Sequence, residues 1–387
     1  MRKEIFGALD LGSSKIKAVV VREDKESFEL IEKIEKDSEG IKRGKVVESE
    51  KLAKVLKWMT REMTKVPPFF VNLSGEYLSA VSSKGIINIS RADQIVSEED
   101  IKRALKSAEA QKFSFHKEVL DIIPQYYVLD NEIKTENPLG MKGFKMELQA
   151  LLILGIKPYF ENLQKSLKMA NVEVLDFIPS PIALSFSVLK EKEKEKGVCV
   201  LNIGAETIEV SIFKDGFLKN FFVLPLGSEI ITNKLALFLK KDFEIAERIK
   251  IEFGSCFSKE KKKKLVLEEG TYFSQGTISK KIRESLSKIF EEVKKELRKN
   301  SEEKEFPGGF VLCGGGAKIK GIEEIAKQKF QHFCRVKKPK KILGLDEDPS
   351  FCVCEGLILA GLSKEKEKGE EEGVFSKIIN FFKGFIP

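Results

Sequence analysis

The sequence is poor in the residues that build metal and nucleophile sites. It has two histidines in 387 residues, His116 and His332, and neither stands near a thiol or carboxylate cluster. That sets aside zinc chemistry and a histidine-based triad, so a metal would arrive with a ligand. The six cysteines, Cys199, Cys256, Cys313, Cys334, Cys352 and Cys354, are scattered through apolar segments without CxxC pairing, and read as buried, reduced thiols. No apolar run approaches the roughly 18 residues of a membrane-spanning helix, and Met1–Phe6 reaches Asp10 too soon to hold a signal-peptide core. The expectation is a chain that begins in the cytosol. A concentrated basic patch is also missing. The net charge of +8 is a diffuse lysine excess, and its densest run, Lys259–Lys264, has no interleaved aromatics. That run reads as a solvated loop, and a nucleic-acid partner is set aside. With 42% apolar and 33% charged residues, the chain is long enough for two or more packed domains.

What is present is one short pattern used twice. Leu9-Asp10-Leu11-Gly12-Ser13-Ser14-Lys15 returns as Leu201-Asn202-Ile203-Gly204-Ala205-Glu206-Thr207, and each copy runs on into a β-branched stretch, Ile16–Val21 and Ile208–Phe213. In each, an apolar strand ends in a polar residue, then a Gly that lets backbone approach backbone, then small polar residues and a second strand. One copy alone is an ordinary hairpin. Two copies predict similar halves whose facing turns grip the phosphates of one nucleotide with backbone N–H groups.

The rest of the chain is laid out around these copies. Strands are predicted over Ile5–Leu11 and Ile16–Val21, a helix over Ser49–Glu62 with Ser49 as N-cap, and a buried strand over Phe69–Leu73. From about Gly85 an α+β insert follows. It holds a strand over Gly85–Ile89, a helix opened by Ser97-Glu98-Glu99-Asp100, and strands over Glu118–Pro124, Tyr126–Asp130 and Glu147–Gly155. A helix from Pro158 to Ala170 comes next, and the charge run Lys190–Lys196 reads as a solvated helix end or linker. The second hairpin, Val198–Ile203 and Ile208–Lys214, passes through a type I′ turn at Asp215-Gly216 into Phe217–Leu224. Helices over Ser228–Lys240 and Glu244–Phe253, a small strand pair and a long helix over Ile278–Leu297 lead to Val311-Leu312-Cys313-Gly314-Gly315-Gly316-Ala317 and a helix from about Gly321. Glycines at such a strand end let a purine or ribose lie against backbone.

This order of hairpin, insert, hairpin, Ala246-Glu247-Arg248-Ile249-Lys250 helix and triple-glycine strand end resembles the actin/Hsp70/sugar-kinase superfamily. Within it, Ile123-Pro124-Gln125-Tyr126-Tyr127-Val128-Leu129-Asp130 and Asn137-Pro138-Leu139-Gly140-Met141-Lys142-Gly143 make the chain similar to the FtsA family of bacterial division proteins over essentially its full length. The resemblance implies an α/β, actin-like two-domain ATPase fold with duplicated RNase H-like halves and an FtsA-type 1C insert in place of actin's subdomain 1B. The parts it implies are a first half (1A) at 1–84 and 163–192, the 1C insert at 85–162, and a second half (2A) at 193–242 and 304–362. Subdomain 2B would lie at 243–303, a charged linker at 363–373 and a membrane-targeting amphipathic helix at 374–387.

ATP and Mg²⁺ are the implied cofactors. Asp10, Gly12, Ser13, Ser14 and Lys15 match the first phosphate motif, with Asp10 holding Mg²⁺ through water, and Gly204 and Thr207 match the second. Gly227 sits at the Gly-rich turn before a helix, Glu247 and Lys250 match the pair facing ribose and adenine, and Gly314, Gly315 and Gly316 match the adenosine motif. The chain departs from the family pattern at Asn202, where an Asp is usual, at Ala205 and Glu206, where glycines are usual, and at Ser180, where Glu or Gln often orients a water. Weak or absent hydrolysis is the expectation. A cleft that has lost nucleotide is the other reading.

The C-terminus carries a separate signal. Lys364–Gly373 has no apolar residue to bury, and beyond it helical spacing puts Phe375, Ile378, Ile379, Phe382, Phe385 and Ile386 on one face, with Lys377, Asn380 and Lys383 largely opposite. It reads as an interfacial helix whose lysines meet anionic lipid, or else as a terminal helix docked on the core. The function implied is a peripheral protein at the division septum that tethers the tubulin-like protein FtsZ to the cytoplasmic membrane, self-assembles into filaments and meets other division proteins. FtsZ would bind within about 243–303. A PilM-type pilus-assembly protein, which commonly lacks such a tail, and a sugar kinase, which needs a carboxylate base by a sugar pocket, are the alternatives.

Overall fold

Two sheets of the same construction make the body of the molecule. A computed structural model describes residues 5–24, 27–257, 264–266, 272–300 and 306–369. In the first sheet, Ile5–Leu11, Lys15–Asp24 and Ser27–Asp37 form an antiparallel meander, and Phe69–Leu73 and Val174–Pro179 add in parallel beyond Ile5–Leu11. In the second, Val198–Ile203, Ile208–Lys214 and Phe217–Leu224 form the meander, and Phe310–Cys313 and Cys334–Val336 add in parallel. The registers repeat as well. Asp10 faces Lys17 across the first hairpin, and Asn202 faces Glu209 across the second.

The inner strands of each sheet are buried almost throughout, as strands covered by helices on either side must be, whereas Ser27–Asp37, toward the edge of the first sheet, alternates half-buried with exposed residues. Along Val198–Ile203 the pleat sends Val198 and Val200 into a core shared with the first half, and Cys199, Leu201 and Ile203 into the second half's own core. All six cysteines are buried and free, as their apolar settings predicted.

The second-half range 304–362 does not follow the sheets at its end. Ile342–Leu343 pairs in parallel with Phe28–Glu29 at the edge of the first sheet. The helix Cys352–Gly369 then buries Cys352, Leu357, Ile358 and Leu362 in the first half's core. Glycines allow this return: a Cβ at Gly356 would lie 2.0 Å from the carbonyl oxygen of Ala183, and one at Gly361 would lie 2.4 Å from the Phe70 ring. Nothing in the local sequence of 342–369 reveals which half it joins, because the choice is made by packing.

The insert is a four-stranded sheet of Leu78–Asn88, Lys145–Ile156, Lys117–Leu129 and Ile133–Thr135, with the helix Glu98–Glu109 on one face. Ser97 caps that helix as expected. Its side chain accepts from the Asp100 N–H while Asp100 accepts from the Ser97 N–H and hydroxyl. Burial would raise the Asp100 carboxyl, but the Ser97, Arg103 and Ser90 hydrogen bonds bring it down to about 2. The two strands expected at Glu118–Pro124 and Tyr126–Asp130 are one strand, Lys117–Leu129, with a bulge at Gln125. The extra residue aims Gln125 out of the sheet, where its Nε2 donates to the Leu218 carbonyl of the second half at 3.0 Å.

Three smaller expectations are corrected. Ser49 is the first residue of the helix Ser49–Glu62, not its cap, because its hydroxyl donates to the Asn162 carbonyl at 3.1 Å instead. The charge run is a short helix, Glu191–Lys196, and Lys194 within it is buried beside Glu191. The strand predicted from Gly85 begins at Leu78. The Asp215-Gly216 turn has positive φ at both residues, as type I′ requires.

Candidate functional site

The two hairpin turns meet across a cleft of about 820 Å³, within the size range of ligand pockets. Asp10, Gly12, Ser13, Ser14 and Lys15 line it from the first half, and Gly204, Thr207, Glu247, Lys250, Gly314, Gly315 and Gly316 from the second. Of the residues picked out from sequence, Gly227 lies outside the lining. It serves the second turn from behind, since a Cβ there would come within 2.2 Å of the Ala205 carbonyl oxygen. The N–H groups of Ser228 and Glu229 donate to Gly204 and Ala205 at 2.9 Å, so the start of the helix Glu229–Leu239 holds this turn in place.

Asp10 sits at the end of Ile5–Leu11 under the first turn. Its Oδ1 accepts from Asn72 Nδ2 at 3.0 Å, and Asn72 Oδ1 accepts from the Leu11 N–H at 2.8 Å. Its Oδ2 lies 3.6 Å from Lys17 Nζ. Burial pushes the Asp10 carboxyl above its ordinary value, and Lys17 opposes the shift. Lys17 lines the cleft and was missed in the sequence. The hairpin register would have found it, because the residue directly across from Asp10 is Lys17. Lys15, the lysine picked out, pairs at 2.7 Å with Asp37 nearer the mouth.

In the second half, Glu247 and Lys250 form a 2.7 Å ion pair one helical turn apart on Phe243–Phe253. Thr232, also missed, locks the pair: its hydroxyl donates to Glu247 and accepts from Lys250 Nζ at 2.9 Å. The lysine is buried while Glu247 is partly exposed in the cleft wall. The three glycines play two roles. Gly314, at φ +84°, and Gly316 lie against the second hairpin, where added Cβ atoms would meet Asn202 Oδ1 at 2.5 Å and Ile203 Cγ2 at 2.4 Å. A Cβ on Gly315 would meet nothing within 4 Å. Only Gly315 therefore leaves space for a ligand; the other two let strands close up.

The second hairpin also carries two carboxylates that reach across to the first half. Glu206 accepts from the Arg43 N–H. Glu209, buried, accepts from Asn202 Nδ2 at 2.9 Å and from the Gly75 N–H at 3.4 Å. Burial pushes Glu209 up to about 7, while hydrogen bonds from Asn202, Ser74 and Gly75 pull the other way. Neither stood out in sequence, where Glu206 reads as a departure and Glu209 as a polar residue in a strand.

The donor set suits Mg²⁺ that comes with phosphates. Among the described residues no group of three or more His, Cys, Asp or Glu could cage a metal ion, whereas one buried carboxylate facing a phosphate-sized space is the usual protein share for Mg²⁺. Among the same residues no helix is long and apolar enough to cross a membrane. The tail residues Phe375, Ile378, Ile379, Phe382, Lys383, Phe385 and Ile386 lie outside the described residues.

Known proteins match this arrangement at three levels. A family model described as cell division protein FtsA matches residues 199–356, and one described as the SHS2 domain inserted in FtsA matches residues 75–154. The cell division protein FtsA of Bacillus subtilis is 27% identical over 382 residues, covering 96% of this chain and 86% of its own. FtsA of Buchnera aphidicola subsp. Acyrthosiphon pisum is 31% identical over 342 residues, covering 81% and 80%. Among solved structures, the PilM–PilN type IV pilus biogenesis complex aligns with TM-score 0.67 at 17% identity over 93% of this chain and 99% of that one. MreB5 of Spiroplasma citri bound to AMPPNP aligns with TM-score 0.57 at 14% identity over 95% and 100%. At such identities the structures show the fold alone, which is actin-like with duplicated halves and an insert. The sequence relatives show more: the chain belongs to the FtsA family of cell division proteins.

Proposed function

We propose that the protein binds ATP with Mg²⁺ between its halves, assembles into filaments at the cytoplasmic membrane of the division septum, and anchors FtsZ there. The observation that carries the reading is the convergence of two equivalent hairpin turns on one cleft in a chain of the FtsA family. The fold neighbour MreB5 is bound to AMPPNP, and the cleft here, about 820 Å³, has the volume of a small-molecule site. The partition into 1A, 1C, 2A and 2B belongs to this proposal, with residues 342–369 reassigned to the first half.

When bound, ATP with Mg²⁺ would bring a polyanion and a cation for the residues of the two turns to hold. Asp10 would hold the cation's water shell, with Asn72 fixing the carboxylate's orientation. Lys17, Gly12, Ser13 and Ser14 would meet phosphate from one side, and Gly204 and Thr207 from the other. Glu247 and Gly315 would take the nucleoside. The two positions at which the family pattern would supply a group to order a water offer no carboxylate. Asn202 carries no charge, and the Ser180 hydroxyl is buried 3.4 Å from Asn72 Nδ2. Phosphate release is expected to stay near background.

Self-assembly is assigned to the insert. Phe115 and Phe144 stand 86% and 65% exposed at opposite ends of its long strands, so each would meet a different neighbouring subunit. Deleting the insert while keeping the two halves is expected to abolish filaments on lipid monolayers, and filaments that persist would place the contact elsewhere. The whole reading is tested by imaging a fluorescent fusion in dividing cells. A midcell ring is expected; a diffuse or polar signal would overturn the division role at the septum.

A further inference from the structure

We propose that Glu209 is a positioning residue for the cation end of the cleft, fixing the Asn202 amide so that its carbonyl oxygen faces the ligand. The inference rests on the nucleotide reading above and concerns how a chain with Asn at this position can still hold Mg²⁺–ATP.

The geometry leaves the amide one orientation. Glu209 is 2% exposed, and its Oε2 accepts from Asn202 Nδ2 at 2.9 Å. Its Oε1 accepts from the Gly75 N–H at 3.4 Å, and the Ser74 hydroxyl donates to the same carboxyl. Above the value of about 7 to which burial pushes it, Glu209 is a carboxylate that offers only acceptors, so the amide must turn its NH₂ toward it. That leaves Oδ1 on the side of Gly314, where a Cβ would lie 2.5 Å away and cover it, so the glycine that lets the strands close up also keeps this oxygen bare at the cleft both residues line.

The distinction matters because water bound to a cation points its hydrogens outward. Groups around the hydrated ion must therefore accept hydrogen bonds, and an NH₂ in that place would oppose them. An Asp needs no such help, since it presents oxygen whichever way it turns, as Asp10 does in the first hairpin. An Asn does. The residue directly across the ladder supplies it, with Glu209 opposite Asn202 where Lys17 stands opposite Asp10. Ser74 and Gly75 follow the strand Phe69–Leu73, so the carboxylate that aims the amide is itself seated by the first half, and the aim is set only when the halves are together.

The test is ATP binding by the full chain at about pH 8, where Glu209 is ionised, measured by melting temperature and calorimetry with Mg²⁺ and again with EDTA. Glu209→Gln lets the side chain donate to Asn202, which then turns its oxygen inward and its NH₂ toward the cleft. The strengthening of ATP binding by Mg²⁺ is expected to fall about 10-fold, with the EDTA affinity kept within about twofold. The double variant Asn202→Asp with Glu209→Gln restores an oxygen on the cleft side and is expected to regain the Mg²⁺ effect. Asn202→Leu, which keeps Glu209 in place, is expected to lose it as Glu209→Gln does, and stands in should that variant fail to fold. A merely structural role would move the ligand-free melting temperature and both affinities together. An unchanged Mg²⁺ effect in Glu209→Gln, or a double variant no better than the single, would overturn the proposal. A flat response of the unaltered protein to ATP would instead overturn the nucleotide reading, and this inference with it.

Discussion

Replacing Gly315 with leucine is expected to erase the ATP-dependent rise in melting temperature while leaving the ligand-free value within about 2 °C of the parent. A ligand bound only by the folded state stabilises it by mass action, about 2.7 kcal/mol at a concentration 100 times its dissociation constant, so the parent should gain several degrees with ATP–Mg²⁺. Gly315 is the place to block this because its Cβ direction is open space in the cleft wall. The neighbouring glycine makes the contrast. Gly314→Ala puts a methyl group against Asn202 Oδ1 and the Ile203 carbonyl at a φ of +84°, so it lowers stability with or without nucleotide. If Gly315→Leu kept the full shift, the nucleoside would lie elsewhere. If the parent's melting temperature stayed flat across millimolar ATP, the cleft would not be a nucleotide site.

Loss of the last turns of the chain is expected to release the protein from anionic vesicles, with apparent affinity falling about 100-fold or more. At helical spacing Phe375, Ile378, Ile379, Phe382, Phe385 and Ile386 would fall on one face, and each buried side chain of this type contributes about 1.5–3 kcal/mol before the cost of ordering. Removing residues 373–387 takes away the whole face. Phe382→Glu leaves its length intact but forces a carboxylate into the apolar boundary beside anionic headgroups, and is expected to have a comparable effect. On the membrane reading neither change removes a core contact, so melting temperature is expected to hold, and a drop would favour the helix docked on the core. Equal sedimentation of parent and truncated protein with vesicles would sink the membrane reading.

The hairpins were legible because each strand's chemistry is local. An apolar run, a polar end residue, a glycine and a β-branched run fix strand, turn and strand without reference to the rest of the chain. Val198–Ile203, Ile208–Lys214 and Phe217–Leu224 accordingly have the bounds expected of them. Features that depend on partners distant in sequence were not legible. Ser49 looks like a cap until Asn162 claims its hydroxyl, and Lys194 looks solvated until the body closes over it. At the cleft, residues with motif positions were found and those with register positions were missed. Lys17 and Glu209 owe their places to the ladder, and Thr232 to a helix packed against its neighbour. The triple glycine shows a further limit, because one residue type in a row answers two different demands, strand packing at Gly314 and Gly316 and open space at Gly315.

The return of Cys352–Gly369 to the first half decides which part of the molecule is the mooring. The notches at Gly356 and Gly361 seat this helix on Ala183 and Phe70, so the segment that continues toward the proposed anchor leaves from the same body that carries the first phosphate turn. On the proposed anchoring the first half is the part moored to lipid, and the second half, with the helices that would receive FtsZ, is held through it by the core that Val198 and Val200 share with the first half. A change at the cleft would then be felt as a change in how far from the bilayer, and at what tilt, the cytoskeletal partner is held, with no alteration of the lipid grip itself.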